Sequence, residues 1–82
     1  MKPGGHHDAL DRLLRPQLDR LYRLAYRLCG NRPDAEDLLQ DVLIKAFDKA
    51  ETIASLDNVG TWLGRVMYNR FVDTARQRLL RS

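Results

Sequence analysis

The sequence predicts an all-α protein, a compact bundle of three to four helices. Three observations carry that expectation. Apolar residues recur at three- and four-residue steps through most of the chain. No stretch alternates apolar and polar residues as a strand would. Proline, glycine and asparagine sit where such helices would have to begin or end. With 82 residues the chain forms one domain with a single modest core.

The first helix is expected from Asp8 to about Cys29. Leu10, Leu14, Leu18, Leu21, Ala25 and Leu28 trace its apolar stripe, and Leu13, Tyr22 and Leu24 widen it. Pro16 interrupts the stripe. A proline in a helix interior removes a hydrogen bond and clashes with the preceding turn, at a cost of about 3 kcal/mol. A kink or break is therefore expected there, with the stronger segment running from Gln17 to Cys29. Ahead of it, residues 1–7 read as a flexible tail because of Pro3, Gly4 and Gly5. His6 and His7 are adjacent and would not share a helix face as metal ligands do. Gly30 is the expected stop.

The second helix begins at Asn31-Arg32-Pro33-Asp34. Asparagine caps, proline is tolerated in a first turn, and Asp34, Glu36 and Asp37 suit the positive end of the helix dipole. Ala35, Leu38, Leu39, Val42, Ala46, Phe47 and Ala50 supply its buried side. Residues 51–58 lose the period and form a connection with room for one helical turn, anchored by Ile53 and Leu56. The third helix is expected from Asn58 or Thr61 to Leu80, with Asn58 as a cap. Gly64 lies inside it at a cost of about 1 kcal/mol relative to alanine, which close packing against another helix would explain. Trp62 reads as a core anchor, and Phe71 and Val72 as packing against the first helix.

Composition narrows the function. One cysteine, Cys29, excludes an internal disulfide and a cysteine-cluster metal site and suits a reducing compartment. No apolar run approaches a membrane span and no signal-peptide pattern is present, so the protein reads as cytoplasmic. Charge is unevenly spread. Residues 31–51 carry six acidic and three basic side chains, whereas residues 60–82 carry five basic and one acidic. Two partners of opposite charge would account for this, and so would pairing between helices.

On the second helix, Asp37, Asp41, Ile44 and Asp48 form a stripe with Gln40 beside it. It reads as a solvated acidic face or as a dock for a basic, partly apolar helix. Asp34, Asp37 and Asp41 could converge as a carboxylate site, but no histidine joins them, so neither an enzyme nor a metal or cofactor is expected. On the third helix Arg65, Arg70, Arg76, Arg78 and Arg81 surround Tyr68, Asn69 and Phe71. Guanidinium groups, an amide and ring faces together suit a nucleic-acid backbone and its bases. Asp73 and Arg76, three apart, could also pair with each other.

The run RLYRLAYRLCGNRPDAEDLLQDVLIKAF, followed by TWLGRVMYNRFVDTARQR, resembles region two of bacterial sigma factors, closest to the extracytoplasmic-function (ECF) group. The resemblance covers about Asp19 to Arg78. Two motifs carry it, DAEDLLQDV and WL-x-RV-x-x-N-x-x-x-D-x-x-R. It implies a region-two helical bundle over residues 8–82 and two binding surfaces. The DLLQD run resembles the helix that docks on the clamp coiled coil of the largest subunit of core RNA polymerase. By position, Asp37, Gln40 and Asp41 are its polar contacts and Leu43 and Ile44 its apolar ones. Asp41 stands where many relatives carry glutamate.

The third helix resembles the element that recognises and melts the promoter −10 element by capturing a base of the single-stranded non-template strand. The resemblance implies Ile53 and Val66 as pocket walls, Asn69 as reader of the base edge, and Arg65, Arg70, Arg76 and Arg78 as DNA contacts. Backbone groups of residues 55–58 would contribute to the pocket. Relatives are commonly held by anti-sigma factors, so such an inhibitor is a further expected partner. The second domain of the family, which binds the −35 element, has no counterpart in the sequence, which therefore reads as a fragment. The readings to set against this are a general helical interaction module and an independent duplex-DNA binder.

Overall fold

A computed structural model of the chain describes residues 5–81, with side-chain surroundings from Leu10 onward. Helix α1 spans Gly5–Leu14 and a single 3-10 turn covers Arg15–Gln17. Helices α2 (Leu18–Cys29), α3 (Arg32–Asp48), α4 (Ala50–Ala54) and α5 (Val59–Arg81) follow. No strand occurs among the described residues, so the all-α expectation holds.

The ends of these helices follow from local chemistry. Pro16 lies in the 3-10 turn, so the expected break is one tight turn. The break lets α1 swing onto α4 instead of continuing along α2. Gly30 ends α2 with φ 81°, in the left-handed region that glycine adopts without strain, and its N–H donates to the Tyr26 carbonyl at 2.8 Å. The Asn31 side chain then accepts from the Asp34 N–H at 3.0 Å and caps α3. Asn58 does the same for α5, accepting from the Thr61 N–H at 3.0 Å.

Two boundaries differ from expectation. Gly5 opens α1, three residues before Asp8, because the helical penalty of glycine applies to interiors and not to a first position. Residues 1–4 of the expected tail, and the surroundings of His6 and His7, lie outside the described residues. Helix α3 ends at Asp48, so Ala50, expected on its buried side, instead opens the short helix α4, the helical turn for which the connection had room.

Helices α2 and α3 form an antiparallel hairpin across Gly30 and Asn31. Helix α5 runs antiparallel to α3, since Asp34 faces Arg78 and Asp41 faces Arg70. It runs in the same direction as α2, with Gly60 beside Arg20 at one end and Leu79 near Leu28 at the other. The core between them is apolar: Leu21 and Ala25 from α2, Leu38 and Val42 from α3, and Leu63 and Met67 from α5 are all buried. Trp62 and Phe71 are half-buried against it. Phe47, expected on the buried side of α3, is 42% exposed instead. Gly64 does not mark close packing, because a Cβ built there meets nothing within 4 Å.

Candidate functional site

The outward side of α3 carries Asp37, Gln40 and Ile44, all exposed, with Leu43 half-buried at its margin. Ile44 is 62% exposed, and Phe47, three residues on, adds its ring to the same face. Four of the five expected docking residues therefore border one surface whose apolar centre is larger than expected. The sequence signal for Phe47 was its spacing from Ile44, overlooked because an aromatic at helical spacing reads as core. Asp41, the fifth, turns toward α5. Its Oδ2 accepts a hydrogen bond from Arg70 Nε at 2.9 Å, an ion pair in which both side chains stay nearly half exposed.

The arginines of α5 divide between two sides of the helix. Arg65, Asn69 and Arg76 recur at four and seven residues and are exposed, forming one solvent-facing stripe. Arg65 and Arg76 make no ion pair among the described residues, and Arg76 does not pair with Asp73. Arg70 and Arg78 face α3 instead. Arg70 holds Asp41, and Arg78 Nη2 lies 3.8 Å from Asp34 Oδ1. Arg70 and Arg78, expected as DNA contacts, thus each already face a carboxylate across the α3–α5 seam. The charge asymmetry of the sequence is thus partly internal pairing. Pairs this exposed contribute about 0–1 kcal/mol and exchange readily for other charges.

Beside the stripe, between α3 and α5, opens a cleft of about 350 Å³. Val66 and Asn69 line it from α5, and Asp41, Ile44 and Asp48 from α3. The neighbourhood expected to receive a base is therefore open. It also shares a border with the expected docking stripe, a juxtaposition the sequence did not suggest. Ile53 is not part of it. That side chain is 0% exposed in the core, where the turn of α4 points it inward, so its expected role as a pocket wall is corrected.

A second groove of about 640 Å³ lies farther along the seam, with Cys29, Asp37, Phe71 and Arg78 among its walls. Burial, reinforced by the Asp34 carboxylate and opposed by Arg78, raises the Cys29 pKa above its ordinary value. A thiol kept protonated is a poor nucleophile. Among the described residues no group of three histidine, cysteine or carboxylate side chains is arranged to hold a metal ion. No helix among them is long and apolar enough to cross a membrane.

A family model described as Sigma-70 region 2 matches residues 13–80. The chain belongs to the sigma-70 region 2 family. Curated relatives of this region 2 domain include the ECF RNA polymerase sigma factor SigE of Mycolicibacterium smegmatis. It is 46% identical over 68 residues, covering 83% of this chain and 26% of the relative. ECF RNA polymerase sigma factor SigW of Bacillus subtilis is 31% identical over 90% of this chain and 40% of its own length. ECF RNA polymerase sigma factor SigM of Mycobacterium tuberculosis is 33% identical over 90% of this chain and 38% of its own. The region 2 domain thus spans well under half of the curated relatives it matches. No solved structure matches it.

Proposed function

We propose that this region 2 domain acts in transcription initiation in the cytoplasm, docking on core RNA polymerase through α3 and gripping the melted −10 strand through α5. The observation that carries this reading is the stripe of Arg65, Asn69 and Arg76, offered to solvent without carboxylate partners and bordered by an open cleft. Phosphates and bases would divide between stripe and cleft for an electrostatic reason. Asp41, Asp48 and Asp73 outnumber Lys45 and Arg70 around the cleft, which therefore disfavours a phosphate. A neutral base with an exocyclic amino group suits it: carboxylates accept from that group, and the Asn69 amide can both donate and accept. The phosphates on either side would lie on Arg65 and Arg76.

On α3, Ile44 and Phe47 ringed by Asp37 and Gln40 suit a basic helix with an apolar face, such as the clamp coiled coil. An anti-sigma factor would inhibit by covering either surface. Binding of single-stranded non-template −10 oligonucleotide and of the matching duplex, measured from low to high salt, tests the reading. Tighter binding of the single strand, weakening as salt rises, supports it. Equal or tighter duplex binding makes the domain a duplex binder, and no binding at low salt leaves a general interaction module. Replacing Asn69 with alanine should reduce discrimination between promoter variants by about 1–3 kcal/mol. Capture of core polymerase should be lost in Asp37→Lys, at an exposed position that holds no ion pair among the described residues, while the melting temperature stays within a few degrees.

A further inference from the structure

Sorting every arginine by its partner exposes a surface that the motifs did not single out. Arg15 is held by Asp11 at 2.7 Å, Arg32 by Glu36 at 2.9 Å, Arg70 by Asp41, and Arg78 faces Asp34. Outside α5, the exposed arginines with no carboxylate partner among the described residues are Arg12, alone on α1, and three that gather on α2: Arg20, Arg23 and Arg27. They recur at three and four residues, so they share the side of α2 that faces away from Leu21 and Ala25. Asp19 lies four residues before Arg23, a spacing that permits an ion pair, yet none forms. A face made only for solubility mixes both signs, and this one does not neutralise itself.

The row is also joined to the DNA-facing helix. Arg20 donates from Nε and Nη2 to Gln17 Oε1, at 3.3 and 2.9 Å, which holds the guanidinium over the first turn of α5. Gly60 makes room for it, since a Cβ there would lie 2.5 Å from Arg20 Nη2. One end of the α2 row thus begins at the start of the helix that carries Arg65 and Asn69.

We propose that Arg20, Arg23 and Arg27 form a second phosphate-binding row that continues the path of the nucleic-acid strand from α5 onto α2. Along a helix rising about 1.5 Å per residue, the row spans roughly 10 Å. That length lets the three guanidinium groups face successive phosphates of one extended strand. Arginine suits this duty, because its planar fork meets two phosphate oxygens at once. The inference rests on the reading of α5 as the strand-binding helix, and it adds sequence-independent grip where α5 reads bases.

The test compares two double variants of the chain, Arg23→Gln with Arg27→Gln and Arg65→Gln with Arg76→Gln. Each is titrated with fluorescent single-stranded −10 oligonucleotide across a salt series. Each lost phosphate contact lowers the slope of log K against log salt by about 0.7 for a single strand. The α2 pair should therefore flatten the slope by about 1.4 and weaken binding at low salt, while substitution of both residues by lysine keeps most of the slope. If the α5 pair weakens binding and the α2 pair leaves slope and affinity unchanged, the α2 row is refuted and the α5 reading stands. If the unsubstituted chain does not bind the strand at low salt, both fall. A weaker affinity with an unchanged slope, or no difference between lysine and glutamine, refutes a charge contact at α2.

Discussion

Three glycines in this domain should respond to the same substitution in three different ways, and Gly64→Ala is the sharpest case. Gly64 lies inside the 23-residue helix α5, and a Cβ added there meets nothing within 4 Å. Only the helical preference then remains, about 0.8–1.0 kcal/mol in favour of alanine. An unfolding entropy of about 2.1 cal/mol/K per residue gives roughly 0.17 kcal/mol/K for a chain of this size, so Tm should rise by about 5 °C. Gly60→Ala should yield little of this, because its Cβ would come within 2.5 Å of Arg20 Nη2 and 3.3 Å of Gln17 Oε1, and the arginine must move. Gly30→Ala should lower stability by about 1–2 kcal/mol, since φ is 81°. Thermal unfolding followed by circular dichroism reads all three. An unchanged or lower Tm for Gly64→Ala would refute the reasoning, since it would mean that the space beside Gly64 is filled. If Gly64→Ala instead stabilises the fold but weakens strand binding, the glycine serves the close approach of the strand.

Ile53→Ala should cost about 2–5 kcal/mol, as expected for a side chain with 0% exposure, while the protein that remains folded binds the strand normally; a chemical denaturation series paired with binding checks this. Asn31→Ala removes the side-chain acceptor of the Asp34 N–H and should cost about 1 kcal/mol, seen as a lower denaturation midpoint with unchanged m. Cys29 should alkylate more slowly than an unfolded-chain thiol near neutral pH, with the difference closing as pH rises past the ordinary thiol range. Because folding raises this pKa, the associated stability is intact below the unfolded value and is lost as pH rises through the folded value. The alkaline limb of a stability profile should therefore flatten in Cys29→Ala.

Much of this molecule is written locally. Helix ends need only a residue and its near neighbours: the left-handed Gly30, the Asn31 and Asn58 caps and the Pro16 break are all legible because their hydrogen bonds close within four residues. The apolar steps of α2, α3 and α5 likewise mark which side of each helix is buried, so the bundle and the exposed Asn69 could be expected from residue order. The motifs shared with region 2 sit on those same helices.

What residue order could not settle is which neighbour each flank meets. Arg65, Arg70, Arg76 and Arg78 look alike in sequence, yet the antiparallel register of α5 on α3 brings two of them to Asp41 and Asp34 and leaves the other two facing water. Ile53 becomes core instead of pocket wall because α1 folds back across α4, a contact between segments about forty residues apart. Arg20 reaches α5 for the same kind of reason, through space at Gly60. Caps and periodicity depend on bonds within a turn or two. Pairings across the bundle depend on how whole helices pack, and only the tertiary structure decides those.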